Sequence, residues 1–405
     1  MREKLLSPFT MLCSVGFMAW ISYSMARSPL LPLFTKSLGA DPAALGFVAA
    51  ASTITGIIFK APSGALSDIL GRRKVLMMGM AVFGLVPFLY LLVNSYWQLA
   101  AVRFVHGFAT AIFGPAAAAM VADLFDKQRG EKIGWYASAT TTGKLLGPLL
   151  GGYILLVTDF KHAYLIVGMI GVISLLIAMF GINENTFPTK KKPKEPQPIR
   201  FALGKMRQGF TEVLSDFRIS VVSAVDAMSY LAVGALETFL PLYGIFVLGL
   251  DSGKVGILFA VQAITTLMSR PVMGRLSDTI GRKPMIISGL LVSALSLGAV
   301  TLISNFYLLM VVVAVYGLGV AITDSSTTAM IADLSKARNY GAAMGVQGTI
   351  LDIGHASGPI LAGIMVKYYN YSSAFIMAAI FLVFAALLFG FFVRDNKPTF
   401  IPGEG

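Results

Sequence analysis

Apolar segments of about twenty residues recur along the whole chain, and they restrict the possible folds more than any other feature of the sequence. An α-helix rises about 1.5 Å per residue, so roughly 20 apolar residues cross the ~30 Å hydrocarbon core of a bilayer. Charged residues make up 13% of the chain, about half of the ~25% typical of soluble domains. The apolar runs are continuous rather than alternating, which disfavours a membrane β-barrel. The sequence therefore predicts an all-α polytopic membrane protein.

Twelve segments are predicted to span the membrane, at 9–34, 43–66, 75–94, 97–121, 133–157, 162–183, 219–248, 254–273, 284–303, 307–332, 341–366 and 372–394. The 32 Lys and Arg residues set the orientation, because cytoplasmic loops of membrane proteins collect positive charge. With the N-terminus inside, four of them fall in outer loops, namely Lys36, Lys161, Lys254 and Lys367. Both termini are therefore predicted to be cytoplasmic. The net charge of +12 reflects these loops rather than nucleic-acid binding.

A polar stretch rich in Lys and Pro, residues 185–200, separates two halves of the chain. Such a composition cannot pack a core, so we interpret it as a solvated linker. Apolar residues over 199–217 follow at spacings of three and four, which predicts a short amphipathic helix on the cytoplasmic membrane surface. The predicted organisation is a six-helix bundle over 1–184, the linker with its surface helix over 185–218, and a second six-helix bundle with a short tail over 219–405.

The two halves repeat each other in sequence. GALSDILGRRK (64–74) matches GRLSDTIGRKP (274–284), 210 positions later, and LGADPAALG (38–46) matches LGLDSGKVG (248–256) at the same offset. Internal duplication of a six-span unit is typical of secondary transporters whose site lies between two bundles near the bilayer midplane.

These motifs resemble those of the major facilitator superfamily, and the resemblance covers nearly the whole chain. The duplicated loop fits the family's signature loop between spans 2 and 3. RFVHG (103–107) fits its fourth-span pattern, and GKLLGPLLGG (143–152) fits the fifth-span glycine pattern of its antiporters. The resemblance implies twelve transmembrane helices in two pseudo-symmetric six-helix bundles, with alternating access and no cofactor.

Two groups of residues within these motifs acquire roles from the resemblance. The signature loops imply a cytoplasmic gate that latches the two bundles, formed by Gly64, Asp68, Gly71, Arg72, Arg73, Gly274, Asp278, Gly281 and Arg282. A merely stable, positively charged loop is the alternative. The bare, Pro-bent faces of spans 5 and 11 imply a hinge and leak barrier, formed by Gly143, Gly147, Pro148, Gly151, Gly152, Gly354, Gly358 and Pro359. Ordinary packing of small residues is the alternative there.

Titratable side chains within the predicted spans indicate a water-filled cavity, because each costs at least ~2.5 kcal/mol near the bilayer centre unless it is paired or hydrated. We expect Glu237, Asp324 and Asp352 to carry protons, in that order of preference, with a salt bridge between helices as the alternative for each. Asp226, nearer the cytoplasmic end, is expected to be hydrated. Lys60 is expected to extend toward the cytoplasmic headgroups, and so is its symmetry mate Arg270.

The predicted substrate cavity is lined by cations, histidines and aromatic rings, namely Arg27, Arg103, His106, Lys144, His355, Trp20, Tyr23, Tyr230 and Tyr316. A packed, hydrogen-bonded histidine is the alternative for His106, and ordinary packing is the alternative for the tyrosines. An ion pair between Arg27 and Glu237 is one arrangement open to these residues. Lys144 and His355 occupy equivalent positions in the duplicated halves. No metal site is predicted, since the chain has 1 Cys and 3 His.

The sequence favours a secondary transporter that exports a small organic solute in exchange for protons, of the multidrug efflux type. A dedicated exporter of an anionic or zwitterionic metabolite or metallophore stays open, because span 1 carries Arg27 where cation exporters of the family carry an acid. An intramembrane enzyme is a remote alternative, since the chain lacks an HExxH pair and a serine nucleophile elbow. The expected partners are the solute, protons and lipid, and the expected state is a monomer in a prokaryotic cytoplasmic membrane.

Overall fold

The computed structural model describes residues 7–125, 129–182, 216–334 and 340–393, with two isolated positions at 204 and 211. All regular structure within these residues is helical. The predicted linker and nearly all of the predicted surface helix lie outside the described residues. The division of the chain into domains there stays a prediction.

Most described helices follow the predicted spans within a few residues, and the helix over Ser252–Ile280 extends seven residues beyond the predicted end at 273. The first half contains α1 (Pro8–Arg27), α2 (Leu30–Ser37), α3 (Pro42–Leu70), α4 (Arg72–Leu85) continued by a 3-10 helix (Val86–Leu92), α5 (Tyr96–Leu124), α6 (Arg129–Val157) and α7 (Phe160–Gly181). The second half contains α8 (Phe217–Phe246), α9 (Ser252–Ile280), α10 (Arg282–Val300), α11 (Phe306–Leu334), α12 (Tyr340–Tyr368) and α13 (Tyr371–Phe392).

Among the described residues, 11 helical segments are long and apolar enough to cross a membrane, the pair α1–α2 counting as one. The remaining predicted span is α6, a helix of 29 residues whose polar side chains lower its hydropathy. With α6 included, the prediction of twelve transmembrane helices is confirmed.

The duplicated sequence motifs produce duplicated helix ends. Asp41 caps α3 by accepting a hydrogen bond from the Ala44 N–H at 2.8 Å, and Asp251 caps α9 through the Lys254 N–H at 2.8 Å. At the other end of the same two helices, Gly71 and Gly281 have φ of 94° and 108°. Only glycine adopts this backbone without strain, which explains why both signature loops carry glycine at the turn.

Each half packs around its own apolar core, and the halves meet mainly through two helix pairs, α3 with α12 and α6 with α9. The contact between α3 and α12 is backbone against backbone at the predicted outer ends. Gly46 faces the carbonyl group of Pro359, and Gly363 faces that of Pro42. Small residues permit this close approach.

The helix surfaces become more accessible toward the predicted cytoplasmic side. Residues 252–260 of α9 are largely buried, whereas residues 261–280 are half-buried or exposed apart from Ser277. The halves are therefore tightly joined at their outer ends, and α9 is less closely packed toward the predicted cytoplasmic side.

Candidate functional site

A cluster of three charged or titratable groups joins the two halves near the middle of the molecule. Arg27 is the last residue of α1, Glu237 lies in the outer half of α8, and His355 lies near the midpoint of α12. The Arg27 Nη2 atom lies 3.3 Å from Glu237 Oε2 and 2.9 Å from a ring nitrogen of His355. His355 Nε2 lies 3.1 Å from Glu237 Oε2. Arg27 Nη2 lies at the same 2.9 Å from both ring nitrogens of His355, and the donor and acceptor roles of the ring depend on its tautomer.

This cluster contains the ion pair between Arg27 and Glu237 that the sequence left open. The two side chains keep 25% and 31% of their surface accessible, so the pair is reached by solvent rather than sealed in a dry core. Ser28 adds a second tie between the same helices, because its hydroxyl donates to the Glu237 carbonyl oxygen at 3.3 Å.

A second ion pair crosses between the halves one helical turn away. Lys60 of α3 pairs with Asp352 of α12, which precedes His355 by three positions and therefore lies on the same helix face. The expectation that Lys60 extends to the headgroups is wrong. A carboxylate from the other half lies closer, and pairing offsets the cost of holding the ammonium within the membrane.

The third ion pair lies within the second half. Arg270 of α9 pairs with Asp324 of α11, so the expectation that Arg270 extends to the headgroups is also wrong. The carboxylates of Glu237, Asp324 and Asp352 are thus each salt-bridged to a cation from another helix. Their role as proton carriers stays a prediction.

Lys144 has a different environment from these paired cations. Its Nζ atom lies 3.9 Å from the centroid of the Trp20 ring, a cation–π contact between α6 and α1. The Lys144 side chain is solvent-exposed although it lies near the midpoint of α6. On the opposite side, the Tyr230 and His355 rings lie 6.2 Å apart. Lys144, Trp20 and Tyr230 retain accessible surface, and their place in the substrate cavity stays a prediction.

Four residues predicted to line the cavity are instead buried within one half, namely Arg103, His106, Tyr23 and Tyr316. Arg103 has 0% exposure and donates to Ser52 Oγ at 2.7 Å and to the Tyr90 hydroxyl at 3.4 Å. His106 contacts the same hydroxyl at 3.0 Å. The physical reason is the close packing of α5 on α3, where Gly107 lies against the Ser52 backbone. This packing closes a polar pocket around the guanidinium.

Asp226 also departs from expectation. It is 1% exposed and accepts a hydrogen bond from Gln347 Nε2 at 2.6 Å. The prediction of a hydrated carboxylate is wrong because α12 covers this part of α8. No sequence pattern pointed to Gln347 as its partner.

The signature-loop arginines make the same contacts in both halves. Arg72 donates to Ser67 Oγ at 2.7 Å and to Asp123 Oδ2 at 3.2 Å. The corresponding bonds of Arg282 go to Ser277 at 2.6 Å and Asp333 at 3.2 Å. The acids at positions 123 and 333 belong to the segments MVADLF (120–125) and MIADLS (330–335), which also repeat at an offset of 210 positions.

These contacts hold helices together within one half. Arg282 also pairs with Asp278 at 2.5 Å, and Arg73 donates to the Ile182 carbonyl at 2.6 Å. The nearest neighbours of Gly64 and Gly274 likewise belong to their own halves, Pro115 and Ser325. The Asp68 side chain lies outside the described residues. The latch between bundles is thus not made by these contacts in this conformation, and the gate role stays a prediction.

The glycine-rich faces of α6 and α12 are used in two ways. Most of these glycines pack against the first helix of their own half. Gly143 faces the Phe17 carbonyl and Gly354 faces the Ala227 carbonyl. Gly147 and Gly151 of α6 and Gly358 of α12 continue these faces, against Ser24, Met25 and Leu231 respectively.

The outer parts of the same faces contact the opposite half. Gly152 lies against the Ser252 carbonyl and Gly256, while the Pro148 carbonyl lies against Gly256. Pro359 makes the corresponding contact with Gly46. These faces close the outer side in this conformation, and their movement as a hinge stays a prediction.

Comparison with known proteins agrees with this architecture. The pattern of the Major Facilitator Superfamily matches residues 12–255 and 227–402. The chain belongs to this superfamily of membrane transporters, and it is a transporter rather than an enzyme.

Particular relatives cover almost the whole chain at low identity. An uncharacterized MFS-type transporter of Methanocaldococcus jannaschii is 22% identical over 384 residues, covering 95% of each chain. Multidrug resistance protein MdtG of Klebsiella pneumoniae is 26% identical over 380 residues, covering 92% of this chain and 90% of that protein. Multidrug resistance protein 2 of Bacillus subtilis is 23% identical over 361 residues, covering 88% of each.

Solved structures share the fold. A bacterial homologue of the human lysosomal transporter Spinster, in an inward-facing and unoccupied conformation, superposes with a TM-score of 0.78 at 16% identity, covering 94% of this chain and 95% of that one. The human organic anion transporter MFSD10 gives a TM-score of 0.69 at 18% identity, covering 96% of this chain and 100% of that one.

Proposed function

We propose that this transporter exports a small organic solute by alternating access, in exchange for protons. The observation that carries the proposal is the Arg27–Glu237–His355 cluster, which ties the two halves together at mid-depth while remaining accessible to solvent. A group that is both titratable and part of the tie can couple protonation to the separation of the halves.

The proposed cycle uses Glu237 as the principal proton carrier. In the outer-open state Glu237 takes a proton from the outside, and the neutral carboxyl has no ionic attraction to Arg27. In the cytoplasm-facing state Glu237 loses this proton to the cytosol, where solute binds, and the restored carboxylate pairs with Arg27 between α1 and α8. Asp324 and Asp352 are proposed as further carriers, since each is salt-bridged and partly accessible.

Solute enters from the cytoplasmic side in this scheme. The accessible cytoplasmic part of α9 lies on that route, and the outer contacts of Gly46 and Gly152 with the opposite half act as the barrier. The hinge role of spans 5 and 11 and the latch role of the signature loops belong to the same proposal. The transporter is proposed to act as a monomer in a prokaryotic cytoplasmic membrane.

Two relatives named as multidrug resistance proteins support a multidrug efflux type of transport. The second candidate is a dedicated exporter of an anionic or zwitterionic metabolite or metallophore. It is favoured by the environment of Lys144, whose contact is an aromatic ring rather than a carboxylate.

Flux across proteoliposomes under an imposed pH gradient tests the proposal. Ethidium and 2-naphthoate serve separately as cationic and anionic probes. We expect Glu237→Gln to lose proton-driven uphill flux of the transported probe while retaining its equilibrative exchange, because a neutral side chain no longer cycles protons. Glu131→Gln is the matched control, since Glu131 is exposed and pairs with the neighbouring Lys132 at 3.3 Å. Wild-type proton-driven flux in Glu237→Gln, Asp324→Asn and Asp352→Asn would remove all three carriers.

A further inference from the structure

The charges that face the interior between the halves do not balance. Four cations lie there, and three of them are each paired with one carboxylate: Arg27 with Glu237, Lys60 with Asp352, and Arg270 with Asp324. Within the part of the chain that the structure describes, Lys144 forms no ion pair. Among the described groups the interior therefore carries one excess positive charge, located at Lys144, since Asp226 is buried between α8 and α12 rather than facing the interior.

Lys144 lies where a solute in the interior would meet it. Charges from both halves act on it, namely Lys60, Arg270, Arg27 and Asp352. Glu237 acts on it as well, and because the three cations are each paired with a carboxylate, Lys144 itself is the unbalanced charge that favours an anion. Its side chain is solvent-exposed although it lies near the middle of a 29-residue helix.

The Trp20 ring is an incomplete partner for this ammonium. A cation–π contact leaves the three N–H donors of a lysine without a hydrogen-bond acceptor. An anionic solute group would satisfy those donors with a charge-assisted hydrogen bond. Partly accessible aromatic rings at Trp20 and Tyr230 would contact an apolar body attached to that group.

We infer that the solute is an organic anion, whose negative group binds the Lys144 ammonium and whose apolar body contacts Trp20. A cationic solute would find the three carboxylates described there, Glu237, Asp352 and Asp324, already held by an arginine or lysine, and would face the excess positive charge as well. This inference rests on the proposed function, since it names the substrate class of the same cavity.

Equilibrium dialysis of purified protein in detergent tests the inference with three probes of one shape and different charge: 2-naphthoate, 2-naphthamide and 2-naphthylmethylammonium. We expect wild-type protein to bind naphthoate at least about tenfold more tightly than either other probe. A charge-assisted hydrogen bond is worth ~1.5–3 kcal/mol, and each ~1.4 kcal/mol is tenfold in affinity.

The variants Lys144→Gln and Lys144→Arg separate charge from fold. Lys144→Gln is expected to weaken naphthoate binding at least about tenfold and to leave the neutral probe within about threefold. Lys144→Arg retains a cation and should retain most of the preference for naphthoate. Lys161→Gln, which removes an exposed lysine at the start of α7, should change nothing. If Lys144→Gln does not fold, the probe preferences of wild type and Lys144→Arg decide the matter.

Three results would overturn the inference: tighter binding of the ammonium probe by wild type, unchanged naphthoate binding in Lys144→Gln, or no naphthoate binding by wild type. Proteoliposome flux separates this failure from that of the proposed function. Proton-driven ethidium export that survives Lys144→Gln would sustain proton-coupled export and reject the anion. Lys144-dependent naphthoate binding without proton-driven flux would sustain the anion and reject proton exchange.

Discussion

The outer closure depends on backbone contact at Gly152, which makes Gly152→Ala a sharp perturbation. A Cβ atom added there would lie 2.5 Å from the Ser252 carbonyl oxygen and 3.0 Å from Gly256 Cα. The Ser252 hydroxyl also donates to the Gly152 carbonyl at 2.9 Å, so backbone on both sides of the contact must move. Neither neighbour is the flexible end of a side chain, and α6 and α9 have to separate.

The magnitude follows from the cost of overpacking. Real Cβ atoms essentially never approach a heavy atom closer than 3.0 Å, so the helices must move apart by at least ~0.5 Å, at a cost of about 1–3 kcal/mol. The cost applies to the outer-closed conformation alone. The equilibrium should therefore shift toward an outer-open conformation by a factor of about 5 to 150, since ~1.4 kcal/mol is tenfold.

Electron paramagnetic resonance measures this shift as a distance between the halves. Spin labels at Lys161→Cys and Lys254→Cys, both exposed at the outer side, report the separation once Cys13, the only native cysteine, is replaced by Ser. We expect Gly152→Ala to populate longer distances. Gly298→Ala is the matched control, because a Cβ at Gly298 in α10 meets nothing within 4 Å. Identical distance distributions for the two variants would refute the explanation of the closure by backbone contact.

Two further predictions concern charges outside the central cluster. Arg103 is fully buried and, among the described residues, is held by hydroxyl groups and an aromatic face rather than by a carboxylate. Arg103→Met should therefore keep or raise the melting temperature in detergent. Arg103→Ala should lower the melting temperature, because the cavity it leaves lowers the free energy of unfolding by ~2–5 kcal/mol. Equal losses in both variants would contradict this. At the outer side, the Ala44 N–H and the Lys367 ammonium hold the pKa of Asp41 below its ordinary value. The ion pair of Asp41 with Lys367 is therefore fully stabilising above the pKa of Asp41 in the unfolded chain, near ~3.9, and this stabilisation is lost as pH falls through the lower pKa of the folded state. The distance between the spin labels should therefore be constant from neutral pH to about pH 5 and lengthen in stronger acid. Asp41→Asn keeps an acceptor for the helix cap and should abolish this acid response, at a cost to stability below ~1 kcal/mol. An unchanged response in Asp41→Asn would assign the response to another group.

Much of the fold could be predicted from residues close together in the chain. The signature loops required glycine at the turn, and Gly71 and Gly281 have the positive φ that the sequence anticipated. The number of spans could also be predicted from the sequence. This includes α6, because its position in the duplicated half identifies it as a span although its polar side chains lower its hydropathy.

The candidate site could be predicted only in part. Residue types and depth indicated that Arg27, Glu237, Lys144 and His355 lie in the interior, because such groups are costly in lipid. Helical periodicity gives the face of a residue on its own helix but not the rotation of that helix against its neighbours. For this reason Arg103 was predicted to line the cavity and is instead enclosed between α3 and α5.

The sequence by itself determined that the chain crosses a bilayer twelve times as helices, because an apolar solvent leaves backbone groups no partner except those of the same helix. Only the tertiary structure decided which charges neutralise one another. Lys60 meets Asp352 across 292 positions of the chain, and Arg270 meets Asp324 across 54. Such pairings depend on helix packing between remote segments, and that same packing leaves Lys144 as the cation of the interior without a carboxylate among the described residues.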